Sequence, residues 1–212
     1  MGRKASIDED ELIARLSTVF RDVGYEGATL TILSKATGLQ KASLYHRFPE
    51  GKEQMAREVL ESTGAWLNEH ILSPLNSGGP PEDRIRAMIR KIDEFYSGGK
   101  QACLLNMLSS AHIHEGPFTR LIKQTFDAWI DALSAVLVDA GFDAKTAGAR
   151  AQRAIILLQG SLVFSRGTGT TRPFREFLKT LPDEILGEGG VARAGGARNP
   201  ALGRPRDPIG GH

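Results

Sequence analysis

Residues 29–48, Thr-Leu-Thr-Ile-Leu-Ser-Lys-Ala-Thr-Gly-Leu-Gln-Lys-Ala-Ser-Leu-Tyr-His-Arg-Phe, leave the chain few ways to fold. They read as a short helix, a turn at Gly38 and a second short helix, with apolar residues spaced for two helices that cross steeply. Gly38 can take positive φ without a Cβ clash, as a tight helix–helix corner needs. Ser34 is small enough to let the second helix approach. Ile32, Leu33, Leu39 and Leu44 supply the buried side of the corner. Lys41, Ser43, Tyr45, His46 and Arg47 are left to its outside or edge. From 35 to 47 the cations Lys35, Lys41 and Arg47 stand with His46 and with no acid. A basic, hydroxyl-rich second helix of this kind suits the major groove of DNA. A plain helical hairpin with a solvated basic face is the alternative.

Helical spacing continues on both sides. Ser6 to Glu9 has the form of a capping box, followed by Leu12, Leu16, Val19, Phe20 and Val23 at helical intervals and a stop at Gly24. Thr29 is a fitting N-cap for the next helix, and Gln40 a poorer one for the helix after it. A longer helix is expected from Gly51–Lys52 to about Leu72, with Met55, Val59, Trp66, His70 and Ile71 inward. Ser73 to Pro81 reads as a linker. Pro81 opens a helix with Ile85, Met88, Ile89, Ile92, Phe95 and Tyr96 on one face, which the run from Ser97 to Lys100 breaks. Leu104 to Ile113 reads as a short apolar helix. Pro117 opens another, carrying Phe118, Ile122, Phe126, Trp129, Leu133 and Leu137. After Gly141, Asp143 caps a helix over Ala144–Phe164 that is apolar on more than one face, as a helix covered on several sides would be. Pro173 begins a last helix with Phe174, Phe177, Leu178 and Leu181. Beyond Leu186 the Gly/Ala/Arg/Pro composition cannot bury enough apolar surface to offset its ordering entropy, so disorder is expected. The fold class is therefore all-α. Three segments are expected: a helix-turn-helix domain at 1–52, a helical effector-binding and dimerisation domain at 53–186, and a tail at 187–212.

Composition narrows the function. Hydrophobic residues are 41% of the 212, enough for a sizeable core. The one cysteine, Cys103, excludes an intramolecular disulfide framework. No signal-peptide pattern is visible in the first residues, and no apolar run approaches a membrane span, so a cytoplasmic protein is expected. With a net charge of +2, any DNA contact must come from a local basic surface. Enzyme motifs are incomplete. His112 and His114 lie two apart without a Cys/His cluster, so no metal is expected. Ser97 to Lys100 has a Ser-x-x-Lys form without its companions. Cys103 sits among leucines as a buried, inert thiol. No cofactor is expected.

The residues Phe20, Gly24, Tyr25, Thr29, Leu30, Ile32, Gly38, Leu39, Lys41, Ser43, Leu44, Tyr45, Phe48, Lys52 and Glu53 resemble, in order and spacing, the DNA-binding domain of TetR-type transcriptional regulators. That resemblance covers about a quarter of the chain; the rest resembles the family in helix count and length. Most members have two residues between the aromatic after the tyrosine and the helix-starting lysine. Here Phe48 and Lys52 are separated by three, which is similar to the LmrA/YxaF-like branch, whose members include multidrug-responsive repressors. Gln40 stands where serine is usual.

The resemblance implies roles. Lys41 and Ser43 would reach base edges. Tyr45 and His46 would touch backbone or adjacent bases, Thr29 a phosphate, and Lys52 a phosphate at the start of its helix. Arg3 and Lys4 could form an arm. The last two long helices of each subunit would make a four-helix homodimer interface, with Leu157, Ser161, Phe164, Phe174 and Phe177 as its candidates. The dimer would present two recognition helices roughly 34 Å apart to double-stranded DNA. The central helices would enclose a small-molecule effector, with walls from Trp66, Met88, Ile92, Phe95, Leu104, Met107, Phe126, Trp129, Ile130 and Leu158. His70, His112, His114 and Glu115 are polar groups near that material. The expected activity is a repressor released from a palindromic operator by a lipophilic or aromatic ligand. A helical ligand-binding or scaffolding dimer without specific DNA binding is the alternative.

Overall fold

The computed structural model describes residues 7–110 and 116–187, and every regular element among them is helical. Asp8, rather than the expected Ser6, caps the first helix α1 (Glu9–Gly27), its carboxylate accepting from Glu9 N at 2.9 Å. Ser6 lies outside the described residues. Leu12, Leu16, Val19 and Phe20 form its buried stripe, and the full burial of Leu16 and Phe20 stabilises the fold by roughly 2–3 kcal/mol each. Val23, expected on that stripe, is 42% exposed. The helix has already turned its inner face away by then, and Gly24 (φ 71°, ψ −179°) breaks the regular path.

Then follow α2 (Leu30–Thr37), α3 (Lys41–Arg47) and α4 (Lys52–Leu67). The helical rod begun by α4 does not stop at the expected Leu72. It runs through a π-helical turn, Asn68–Leu72, into the short α5 (Ser73–Leu75), so the expected linker supplies one more helical turn. Pro74, which has no N–H to donate, directly follows the π-helical turn, where the regular ladder is already interrupted. α6 (Pro81–Phe95), α7 (Leu104–Met107), α8 (Thr119–Asp139), α9 (Ala144–Thr168) and α10 (Arg172–Leu186) complete the chain. The apolar helix expected from Leu104 is shorter than its pattern suggested, and residues 111–115 lie outside the described part, as does the tail from 188. Asp143 caps α9 as expected, its carboxylate accepting from Thr146 N at 3.0 Å.

α1 packs on α2, α4 and α7, while α9 lies between α8 and α10. α4 joins the two regions. Its Met55, Ala56, Val59 and Leu60 are buried at one end, and Leu67, Ile71 and Leu75 are buried further along the same rod. α9 is apolar nearly all round, yet only part of it is covered. Ala151, Ile155, Leu158 and Leu162 face the core, whereas Ile156, Val163 and Phe164 face solvent.

Candidate nucleic-acid interface

The corner between α2 and α3 is held by short-range polar contacts. The Thr29 hydroxyl accepts from Ile32 N at 3.4 Å and so caps α2, which leaves its own proton to donate outward. Gly38 takes the left-handed conformation (φ 72°, ψ 5°) and its N–H returns to Ser34 O. The Ser34 hydroxyl donates to Leu39 O at 2.6 Å, so this side chain ties the two helices as well as giving them room. Arg15 of α1 donates to Thr37 O at 3.2 Å and anchors the turn from behind. Leu33 and Leu44 are buried as the spacing required. Ile32 is 40% exposed and is not part of the buried side, which Phe48 of the adjoining turn helps to fill instead.

α3 therefore presents Lys41, Ala42, Ser43, Tyr45 and His46 together on its solvent side. Tyr45 is 52% exposed. Gln40 makes no side-chain capping bond. Arg47 departs from its expected outward role. Its guanidinium donates to Glu9 and to both carboxylate oxygens of Glu58, the nearer at 3.0 Å, and lies over the Phe48 ring at 4.7 Å. Those acids come from α1 and α4, outside the acid-free segment. The Arg47 hydrogen bond, opposed by slight burial and helped by its charge, lowers the Glu9 pKa; the same bond raises that of Arg47. The pair braces the C-terminal end of α3 against the other two helices and leaves its outer face open to solvent.

Lys52 also has a partner within the protomer. It opens α4, but its ammonium donates to Tyr25 O at 2.9 Å and lies 4.2 Å from the Tyr25 ring centroid. That ring in turn meets the edge of Phe118 at 5.1 Å. Burial, with Glu53 and Glu26 nearby, raises the Tyr25 pKa, so the phenol is neutral at physiological pH. Arg3 and Lys4 lie outside the described residues.

Among the described residues, the ten expected effector-lining residues are divided between the packed core and several clefts. Met88, Ile92, Leu104, Trp129 and Leu158 are packed in the core at 2% exposure or less. Trp66 and Phe95 stack on each other with centroids 4.3 Å apart and line a cleft of about 270 Å³ between α1, α4 and α6. Met107 lines a separate cleft beside Gly24 and Tyr25. Trp129 lines a third, of about 190 Å³, with Gly64, Leu67 and Gln124. Phe126 and Ile130 are half-buried against the core and line none of these three. His112, His114 and Glu115 lie outside the described residues. Of the interface candidates, Phe164 is 63% exposed, while Leu157 and Ser161 line the groove between α9 and α10 with Phe177 at its floor. Phe174 is fully buried against Gly99 and Tyr96, so it belongs to the protomer's own core.

A braced corner that offers one short polar and basic helix defines a helix-turn-helix DNA-binding regulator. Residues 12–59 match the model of the bacterial regulatory proteins of the tetR family, and residues 81–180 match the C-terminal domain of LmrA/YxaF-like transcriptional regulators. The chain belongs to the TetR family of transcriptional regulators, in its LmrA/YxaF-like branch; these are regulators and not enzymes. The chain is 24% identical over 177 residues to the uncharacterized regulator YxaF of Bacillus subtilis, covering 82% of this chain and 92% of that one. It is 20% identical to LmrA of the same organism, covering 82% and 94%. The fold is similar to a TetR regulator from Legionella pneumophila, with a TM-score of 0.72 and 21% identity over 84% of this chain and 97% of that one. It is also similar to a cysteine mutant of the TetR family regulator CifR complexed with 26 bp double-strand operator DNA, with a TM-score of 0.69 and 17% identity over 88% and 99%.

Proposed function

We propose that the protein is a cytoplasmic, dimeric repressor that holds a palindromic operator and is released from it by a small lipophilic or aromatic ligand. The observation that carries this reading is the path of α4. One end of the helix holds α3 through Glu58 and Arg47 and holds α1 through Lys52 and Tyr25. The other end runs into the core beside the cleft lined by Leu67, Leu72 and Trp129. A ligand that fits better when α4 is swung shifts the population toward a recognition-helix spacing that no longer matches two half-sites. Trp129 gives that cleft an aromatic wall, which favours a ligand with an apolar or aromatic body. Lys41, Ser43, Tyr45, His46 and Thr29 are the DNA-contacting set, with Lys52 as a support for α1.

Anisotropy of labelled operator DNA, titrated with protein and then with lipophilic or aromatic compounds, tests the reading. Release by a compound whose binding is weakened in Trp129→Phe supports it. Operator affinity unaltered by every compound that binds the core would refute it.

A further inference from the structure

Another cleft, of about 270 Å³, opens where the loop 97–103 meets the junction of α9 and α10. Lys100 and Arg166 face it, and none of its lining residues is a carboxylate. Several of its carbonyl acceptors, on the α9 side and at the start of α10, are already taken. Ser165 O accepts from Thr170 N at 3.1 Å, Arg166 O from Gly169 N at 3.4 Å and Thr171 O from Arg175 N at 3.1 Å. Its donors are not. Ser165 is 3% exposed and uses its hydroxyl oxygen to accept from Phe174 N at 3.2 Å, which leaves the proton to be donated. Thr170 likewise accepts from Arg172 N at 3.3 Å. Arg166 directs one N–H at the thioether of Met107, a weak acceptor, at 2.8 Å. Two cations, spare hydroxyl protons and no carboxylate in one concavity match an oxyanion.

The cleft is wired to α1. Met107, which holds Arg166, has its carbonyl 3.2 Å from where a Cβ on Gly24 would stand. Ala102, which lines the cleft, accepts at its carbonyl from Arg21 of α1 at 2.5 Å. We propose that this cleft binds a small oxyanionic ligand, a phosphate or carboxylate group on a compact body, and that its occupancy alters the seating of the DNA-binding helices. An anion that draws Arg166 off Met107 and closes the 99–102 loop loosens both props under α1. The binding half stands by itself; the transmission half rests on the repressor reading.

Calorimetry of the full chain with inorganic phosphate, glycerol phosphate and acetate, at ionic strength held constant with chloride, tests the binding half. Saturable binding is expected, weakened at least about tenfold in K100Q/R166Q, with the melting temperature in chloride unchanged. Tighter binding of the ester than of free phosphate would identify an organic phosphate; equal binding would identify the anion alone; a preference for acetate would identify a carboxylate. No saturable heat from any of the three, or equal binding by the variant, would overturn the proposal. Operator anisotropy tests the other half. Saturating anion should change operator affinity at least about threefold in the native protein and not in the variant. An unchanged affinity despite binding would overturn transmission. Weaker operator binding by K100Q alone, which leaves the Arg166–Met107 contact in place, with no anion present would assign Lys100 to the DNA backbone and overturn the small-ligand proposal. If the native protein binds no operator, the repressor reading fails while the calorimetric result stands.

Discussion

Replacing Phe164 with alanine should separate the subunits while sparing each folded protomer. Phe164 is 63% exposed on the outer stripe of α9, between Ile156 at 61% and the end of the helix. Gly160 lies on the same stripe, and a Cβ there would meet nothing within 4 Å, so a second helix can approach closely. A phenylalanine side chain offers on the order of 200 Å², so 63% of it leaves about 125 Å² to cover. Covering that area contributes ~3 kcal/mol at about 25 cal/mol per Å², and a two-fold interface contains it twice. Alanine keeps the Cβ and its contacts. Phe164→Ala should therefore remove roughly 4 kcal/mol per dimer, about a thousandfold in the dimer dissociation constant. Sedimentation equilibrium over a broad concentration range measures the dissociation constant, and chemical denaturation of the monomeric form checks the protomer. Operator affinity should fall in step, because a single α3 reads too few base pairs. A dissociation constant within about threefold of the native value would refute the reasoning and place the contact between subunits elsewhere.

Two glycines should respond differently to alanine. Gly38→Ala meets only Arg15 Nη1 at 3.9 Å and loses about 1–2 kcal/mol from the left-handed backbone alone. Gly24→Ala adds a close approach to Met107 O to a conformation that only glycine adopts readily, so its loss in urea melts should exceed that of Gly38→Ala. Lys41→Gln should lower the log–log salt slope of operator binding by about 0.9 if Lys41 meets a phosphate, and should relax base preference with little change in slope if it meets a base edge. Glu9 has a depressed carboxyl pKa in the folded state, so its contribution is present above the ordinary carboxylate value and is lost as pH falls through the depressed one. The stability gap between native protein and Glu9→Gln, below about 1 kcal/mol for so exposed a pair, should therefore close in acid; a gap that does not shrink as pH falls below the ordinary carboxylate range would contradict the assignment.

Local chemistry made the corner legible. Gly38, Thr29 and Asp143 act within a few residues of themselves, so turn and cap rules place them without tertiary knowledge. Arg47 shows where that ends. Its partners Glu9 and Glu58 lie 38 and 11 residues away, and no periodicity links them. Lys52 reaches 27 residues back to Tyr25 for the same reason. Apolar spacing identified Met88, Ile92 and Trp129 as inward, but an inward side chain can fill space as easily as border it. Whether room remains depends on neighbours from several helices, so the effector walls were not legible. Phe174 was misplaced on similar grounds: α10 is apolar on the side facing Gly99, and sequence alone does not say which neighbour covers that side.

The widened turn at Asn68–Leu72 has a consequence for the length of the rod that carries it. One residue fewer there would remove the widened turn, yet it would rotate everything downstream by about 100°. Ile71 and Leu75, now wholly enclosed, would swing toward water. The spacing between the operator-reading end and the far anchor is therefore set to a single residue, and a deletion in this turn should harm the protein more than a deletion in the glycine-rich stretch a few positions later.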